Sequence, residues 1–132
     1  MYLIDTSVWI DFLKQKNTQQ VKYFEKIIDE DTSFGLTNII YQEILQGAAT
    51  LKDFNTLHEY LSTQLFYEEE SHESYQQAAK LYFNCRKKGL TIRSTIDCLI
   101  AQIAIENKLT LLHNDKDFEH IQKVQPALKL LH

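Results

Sequence analysis

Apolar and polar positions along this chain follow two alternating rhythms. Short apolar runs that close on a polar residue are separated by longer stretches in which apolar residues return every three or four positions, the patterns of strands and amphipathic helices. Tyr2-Leu3-Ile4 runs into Asp5, and Thr6 or Ser7 then offers an N-cap to a helix bearing Val8, Trp9, Phe12 and Leu13. Val21, Phe24, Ile27 and Ile28 predict a second helix from Thr18 to about Asp31, closed by the acidic Asp29-Glu30-Asp31 run. Phe34-Gly35-Leu36 reads as a strand, and Thr37 or Asn38 caps a helix holding Ile39, Ile40, Ile44 and Leu45 up to Gly47. Phe54, Leu57 and Leu61 mark a helix over Asp53 to Gln64, and Leu65-Phe66-Tyr67 reads as a third strand before Glu68-Glu69-Glu70. Ser71 to Lys88 is a long helix with Tyr75, Ala78, Ala79, Tyr82 and Phe83 expected inward and Gly89 as its stop. Ser94 to Asn107 is the most apolar helix and is expected against the sheet. Thr110 to His113 (strand), Asp115 to Lys123 (short helix) and Leu128 to Leu131 (strand, after Pro126) complete the chain.

Strands alternating with helices imply βαβ units, and hence an α/β fold of three layers with a mainly parallel central sheet flanked by helices. At 132 residues the chain is expected to form a single domain, 1–132. No apolar run approaches the about 18 residues a membrane helix needs, and the N-terminus lacks a signal-peptide pattern, so a cytoplasmic protein without membrane association is expected. Cys85 and Cys98 form no C-x-x-C arrangement and lie in helical segments, which disfavours a disulfide framework or a zinc site. The net charge of -4 is not the basic footprint of a simple nucleic-acid binder. The placement of the acids reverses that argument.

In parallel sheets ligands gather beyond the carboxyl ends of the strands. Asp5 ends the first strand and Asp115 follows the Thr110 strand, so both project from that edge. The helix leading into the Thr110 strand runs antiparallel to it, which brings Asp97 in its first turn to the same edge. Glu43 shares a helix face with Ile39 and Ile40 shortly after the Phe34 strand, and Asp117 adds a fifth, more peripheral acid. Each has a plainer reading: Asp5 and Asp115 as helix starts, Asp97 in a Ser94-x-x-Asp97 capping box, Glu43 as a solvated helix residue. Taken together, four carboxylates at one edge repel one another unless a cation neutralises them. An all-oxygen set without His or Cys points to Mg²⁺ or Mn²⁺ and suits phosphodiester hydrolysis. The histidines, at positions 58, 72, 113, 120 and 132, are scattered, and His113 is read as structural.

Four segments carry a family resemblance: Ile4-Asp5-Thr6-Ser7-Val8-Trp9-Ile10, Gln42-Glu43-Ile44-Leu45-Gln46-Gly47, Thr91-Ile92-Arg93-Ser94-Thr95-Ile96-Asp97-Cys98-Leu99-Ile100-Ala101 and Leu111-Leu112-His113-Asn114-Asp115-Lys116-Asp117-Phe118. In this order and spacing the chain resembles the PIN domain, and its local wording resembles the VapC-type toxins of toxin–antitoxin pairs. The resemblance implies an endoribonuclease in which Asp5, Glu43, Asp97 and Asp115 match the family's quartet for Mg²⁺ or Mn²⁺ and Thr6 matches its supporting hydroxyl. Asp117 matches a position that is often acidic and is a candidate further metal ligand. It also implies a homodimer and a cognate, VapB-like antitoxin that covers the site.

An RNA substrate is held by positive charge, and Arg86, Lys87, Lys88 and Arg93 precede Asp97. The same residues also suit a helix C-terminus, and Arg93, beside the acidic helix, is the better RNA contact than Lys87 or Lys88. Tyr75, Tyr82 and Phe83 recur at helical spacing and are read as core or dimer contacts. Two other function classes remain alternatives. A phosphate-accepting receiver-like signalling domain shares the size and an acidic Mg²⁺ pocket, but it resembles a pattern of adjacent acids after strand one, where this chain has Thr6 and Ser7. A catalytically idle PIN-like binding module is disfavoured by intact acids at all four positions.

Overall fold

A computed structural model describes residues 1–131. Four short strands, β1 (Tyr2–Ile4), β2 (Phe34–Gly35), β3 (Thr110–Leu112) and β4 (Lys129–Leu131), form one sheet in the order β2-β1-β3-β4, and every pairing is parallel. Seven helices connect them: α1 (Thr6–Leu13), α2 (Gln19–Asp29), α3 (Asn38–Gln46), α4 (Leu51–Leu61), α5 (His72–Lys87), α6 (Thr95–Glu106) and α7 (Lys116–Val124). Strand order runs from β1 to β2 in one direction and from β3 to β4 in the other. Right-handed crossovers in opposite directions place helices on opposite faces, giving the expected three layers. Contacts agree with that division, since α1 packs on α2 and α3, and α3 on α4, while α5, α6 and α7 pack on one another. None of the described helices is long and apolar enough to cross a membrane.

Trp9, Phe24, Leu3, Ile4, Leu36, Ile40, Ile100, Leu111 and Phe118 are fully buried around the sheet. On the α1 side the core is aromatic: the Trp9 and Phe24 rings meet edge to face at 4.9 Å, Phe24 meets Phe34 at 5.1 Å, and Phe12 and Tyr60 each lie 6.4 Å from Trp9. Helix starts follow the expected chemistry at Thr18, Thr37, Thr50 and Ser71, whose side chains accept from the first turn of α2, α3, α4 and α5.

Several expectations need correction. Leu65-Phe66-Tyr67 does not form a full strand but a single parallel bridge, Leu36 to Phe66, bounded by hydrogen bonds from Leu36 N to Leu65 O and from Tyr67 N to Leu36 O. The neighbouring strand β2 has only two residues before the chain turns into α3, so pairing has nowhere to continue. The fourth helix starts at Leu51, two residues early, because Thr50 supplies the cap. On α5 the inward stripe is Ser74, Ala78, Leu81 and Cys85, while Tyr75 and Phe83 stay 51% and 54% exposed. This stripe packs α5 against α6, and that packing overrides the aromatic pattern. Ser74 is satisfied there by donating to Glu106 Oε1 at 2.9 Å.

Candidate metal centre

The strand order reverses between β1 and β3, and their carboxyl ends open the crevice in which α/β sheets hold ligands. Asp5 leaves β1 at that point, its amide bonded to Leu112 O at 3.0 Å, and the Asp5 carbonyl accepts the Val8 and Trp9 amides. Asp5 itself, and not Thr6 or Ser7, therefore occupies the N-cap of α1, and its carboxylate makes no capping bond. The two hydroxyls turn to the acids instead. Ser7 Oγ donates to Asp5 Oδ2 at 3.1 Å, and Thr6 Oγ1 donates to Glu43 Oε1 at 2.7 Å. The pairing of Ser7 with Asp5 went unread in the sequence, where Ser7 served only as a candidate cap.

Opposite them stand the acids of α6 and α7. Single carboxylate oxygens of Asp97, Asp115 and Asp117 come within 4.8 Å of one another, close enough to share one ion. The Ser94-x-x-Asp97 capping box does not form, since Ser94 makes no side-chain cap and the Asp97 carboxyl hydrogen-bonds to Asp117. Asp115 is both cap and cluster member: its Oδ1 accepts the Asp117 amide at 2.9 Å. Asp117, expected at the periphery, is 2% exposed and lies inside the group, because its position in the first turn of α7 aims it back at the loop before α6. Asp5 and Glu43 flank this trio without entering the tightest set, yet both act on the same field.

The electrostatics record the crowding. Burial, with added repulsion from Glu43 and Asp115, lifts Asp5 to about 6 against the opposing bonds from Thr6 and Ser7. Asp97 is raised still further, first by burial, then by its hydrogen bond with Asp117 and the charges of Asp5, Asp115 and Asp117. Burial and neighbouring like charge thus favour the protonated forms of Asp5 and Asp97, as expected where acids share a small volume. One cation of the chain relieves part of the load: Arg93 Nη2 bonds Asp115 Oδ1 at 2.9 Å, and Arg93 Nε lies 3.6 Å from Asp117 Oδ1. Lys87 and Lys88 are exposed at the end of α5, and Arg86 stacks over the Tyr82 ring at 5.7 Å.

The donor set fits a hard divalent cation. Asp97, Asp115 and Asp117 offer carboxylate oxygens at sharing distance, Asp5 and Glu43 add two more beside them, and no His or Cys joins the group among the described residues. His113 is buried and structural, its Nδ1 accepting the Asp115 amide at 3.2 Å while its ring meets Phe118. His120 meets the Thr91 carbonyl at 3.0 Å, and His132 lies outside the described residues.

Known proteins bear on this arrangement. The PIN domain family matches residues 2–124. Two curated relatives, "VapC ribonuclease Mb1587" of Mycobacterium bovis and "Ribonuclease VapC11" of Mycobacterium tuberculosis, are each 29% identical over 125 residues, spanning 94% of this chain and 93% of theirs. Among solved structures, the DNA-bound VapBC of Salmonella typhimurium superposes with a TM-score of 0.76 at 18% identity, covering 98% of this chain and 96% of that one. FitAcB of Neisseria gonorrhoeae gives 0.70 at 23% identity, covering 100% and 97%. At these identities the superpositions speak to the fold.

Proposed function

The chain belongs to the PIN domain family, and from that membership and its acidic pocket we propose that it is a divalent-metal-dependent endoribonuclease, the toxin of a toxin–antitoxin pair. The convergence of Asp97, Asp115 and Asp117 beside Asp5 and Glu43 at the switch point of the sheet carries the reading. The names of its relatives, VapC ribonucleases, supply the substrate class.

Asp97 and Asp115, flanked by Asp5 and Glu43, would hold Mg²⁺ or Mn²⁺. Bound there, the ion supplies an activated water and charge stabilisation for hydrolysis of an RNA phosphodiester. The chain's own residues prepare the pocket. Ser7 orients Asp5, and Thr6 orients Glu43, so neither carboxylate has to find its rotamer when a cation enters. A cation held there would compete with protons on Asp5 and Asp97, so its binding would tighten as pH rises. Arg93, 71% exposed at the mouth, is placed to meet a phosphate.

An antitoxin of the VapB kind and a homodimer complete the proposal. A solved toxin–antitoxin complex of Klebsiella pneumoniae and the VapBC of Salmonella typhimurium share this fold. The exposed Tyr75 and Phe83 on α5 suit the dimer contact.

Purified protein free of any antitoxin is expected to cut single-stranded RNA internally with Mg²⁺ or Mn²⁺ and to stop in excess chelator. Asp97→Asn should lower that rate by orders of magnitude. Cleavage at parent speed in chelator, or by Asp97→Asn, would overturn the metal mechanism. Phosphoryl uptake from a small phosphodonor, with no RNA cleavage, would return the receiver-like alternative.

A further inference from the structure

Asp117 is the acid whose bonding differs most from its neighbours. Its Oδ2 accepts two backbone amides from the loop before α6, Arg93 N at 3.0 Å and Ser94 N at 3.2 Å. Its Oδ1 lies 3.6 Å from Arg93 Nε, and the Asp97 carboxyl shares a hydrogen bond with it. A carboxylate offers roughly four lone-pair sites, so these partners nearly exhaust it. A direct bond to a cation through Oδ2 would strip two loop amides of their acceptor, in a place closed to solvent.

Asp115 is arranged the other way. Both of its bonds fall on Oδ1, to the Asp117 amide and to Arg93 Nη2, and its Oδ2 carries no hydrogen bond among the described residues. Asp115 keeps one oxygen for a ligand, while Asp117 gives one oxygen to two backbone amides and turns the other toward Arg93. The plainer view of Asp117, an acid favoured by the positive end of α7, accounts for neither its burial nor its two amide partners.

We propose that Asp117 is a positioning residue and not a metal ligand: it ties the loop 91–94 to α7, which fixes the first turn of α6 and so the direction of Asp97, and holds the Arg93 guanidinium beside Asp115. Helix α7 grips this loop at a second point, where His120 meets the Thr91 carbonyl. The loop, Arg93 and Asp97 therefore move as one piece with α7. The role given to Arg93 rests on the ribonuclease reading; the tether and the metal assignment do not.

The test compares Asp117→Ala, Asp117→Asn and Asp97→Asn in the full chain, with three readouts. Amide hydrogen exchange at Arg93 and Ser94, measured without metal, should quicken by about tenfold or more in Asp117→Ala as the loop opens locally. Asn keeps a carbonyl acceptor and should restore most of the protection. Mn²⁺ affinity, measured calorimetrically without RNA, should stay near the parent's in Asp117→Asn and weaken by at least about tenfold in Asp97→Asn. In RNA cleavage, Asp117→Ala should raise KM, and Arg93→Ala should add little further loss in that background. Loss of Mn²⁺ affinity in Asp117→Asn equal to that in Asp97→Asn would make Asp117 a ligand and overturn the proposal. Unchanged exchange at Arg93 and Ser94 in Asp117→Ala would remove the tether. If exchange and Mn²⁺ binding behave as expected while the parent cuts no RNA, the ribonuclease reading fails and the positioning role stands.

Discussion

Asp5 and Trp9 are four residues apart in the same strand-to-helix turn, yet they serve regions with opposite energetics. Trp9 sits among Phe12, Phe24, Phe34 and Tyr60, with ring pairs edge to face or tilted, and its burial stabilises the fold whatever the solution contains. Asp5 sits among other acids, and its burial is unfavourable until a proton or a cation arrives. Apolar packing on one side of β1 thus offsets electrostatic strain at its carboxyl end.

The sharpest way to test this contrast is to remove one member of each region. Trp9→Ala should lose about 3–5 kcal/mol of stability, with or without Mg²⁺, because it leaves a large cavity. The Trp9 indole nitrogen has no hydrogen-bond partner among the described residues, so the loss is chiefly one of packing. Chemical denaturation in chelator and in Mg²⁺ would measure it. A loss that disappears in Mg²⁺ would break the separation of the two regions.

Asp5→Asn should shift stability in the opposite direction. In the folded metal-free protein Asp5 keeps its proton up to about 6, whereas the unfolded chain releases it near 3.8. The folded state then binds more protons, so stability falls as pH rises through that window and stays lower above it. About two pKa units correspond to roughly 3 kcal/mol, so in chelator at neutral pH the Asn variant should be more stable than the parent by up to that amount. Asp97, raised further, extends the parent's decline to higher pH. Melts in chelator from pH 4 to 8 would show a falling parent curve and a flatter variant; parallel curves would remove Asp5 from the strained set. Added Mg²⁺ should raise the parent's Tm by mass action and the variant's by less.

The smallest expected effect lies at the mouth of the pocket. Arg93→Ala should weaken RNA binding and reduce its salt slope by about one, as one phosphate contact is lost. Lys87→Ala and Lys88→Ala should change it less, because both are exposed at the end of α5 and, among the described residues, neither pairs with the acids as Arg93 does. An unchanged salt slope in Arg93→Ala, measured by titration across KCl concentrations, would confine that side chain to its ion pairs.

The order of strands and helices was legible because short apolar runs and helical patterns alternate cleanly, and the positions of Asp5, Asp97 and Asp115 follow from where strands end and helices begin. What escaped the sequence depends on contacts between elements distant in the chain. Asp117 reads as one more first-turn acid until the loop before α6 is seen to donate to it, 23 and 24 residues away in sequence. Tyr75 and Phe83 recur at helical spacing with Ala79 and Tyr82, but the face buried against α6 includes Ser74, Ala78 and Cys85, which carry little hydrophobic signal. Arg93 was placed near the acids, while its pairing with two of them is a matter of side-chain reach that spacing alone does not give.

Gly35 has a bearing on how safely this small sheet is displayed. A Cβ there would lie 2.3 Å from the Leu65 carbonyl oxygen and 2.9 Å from the Tyr67 ring, so only glycine lets the 65–67 segment lie flush along the margin of β2. That segment works as a plug: it takes up the hydrogen-bonding groups of Leu36 that would otherwise recruit a strand from another molecule. At the far margin, β4 carries the exposed Lys129, a charge that discourages strand addition. Any side chain at position 35 would lift the plug, and the first symptom would be aggregation of newly made chains during folding.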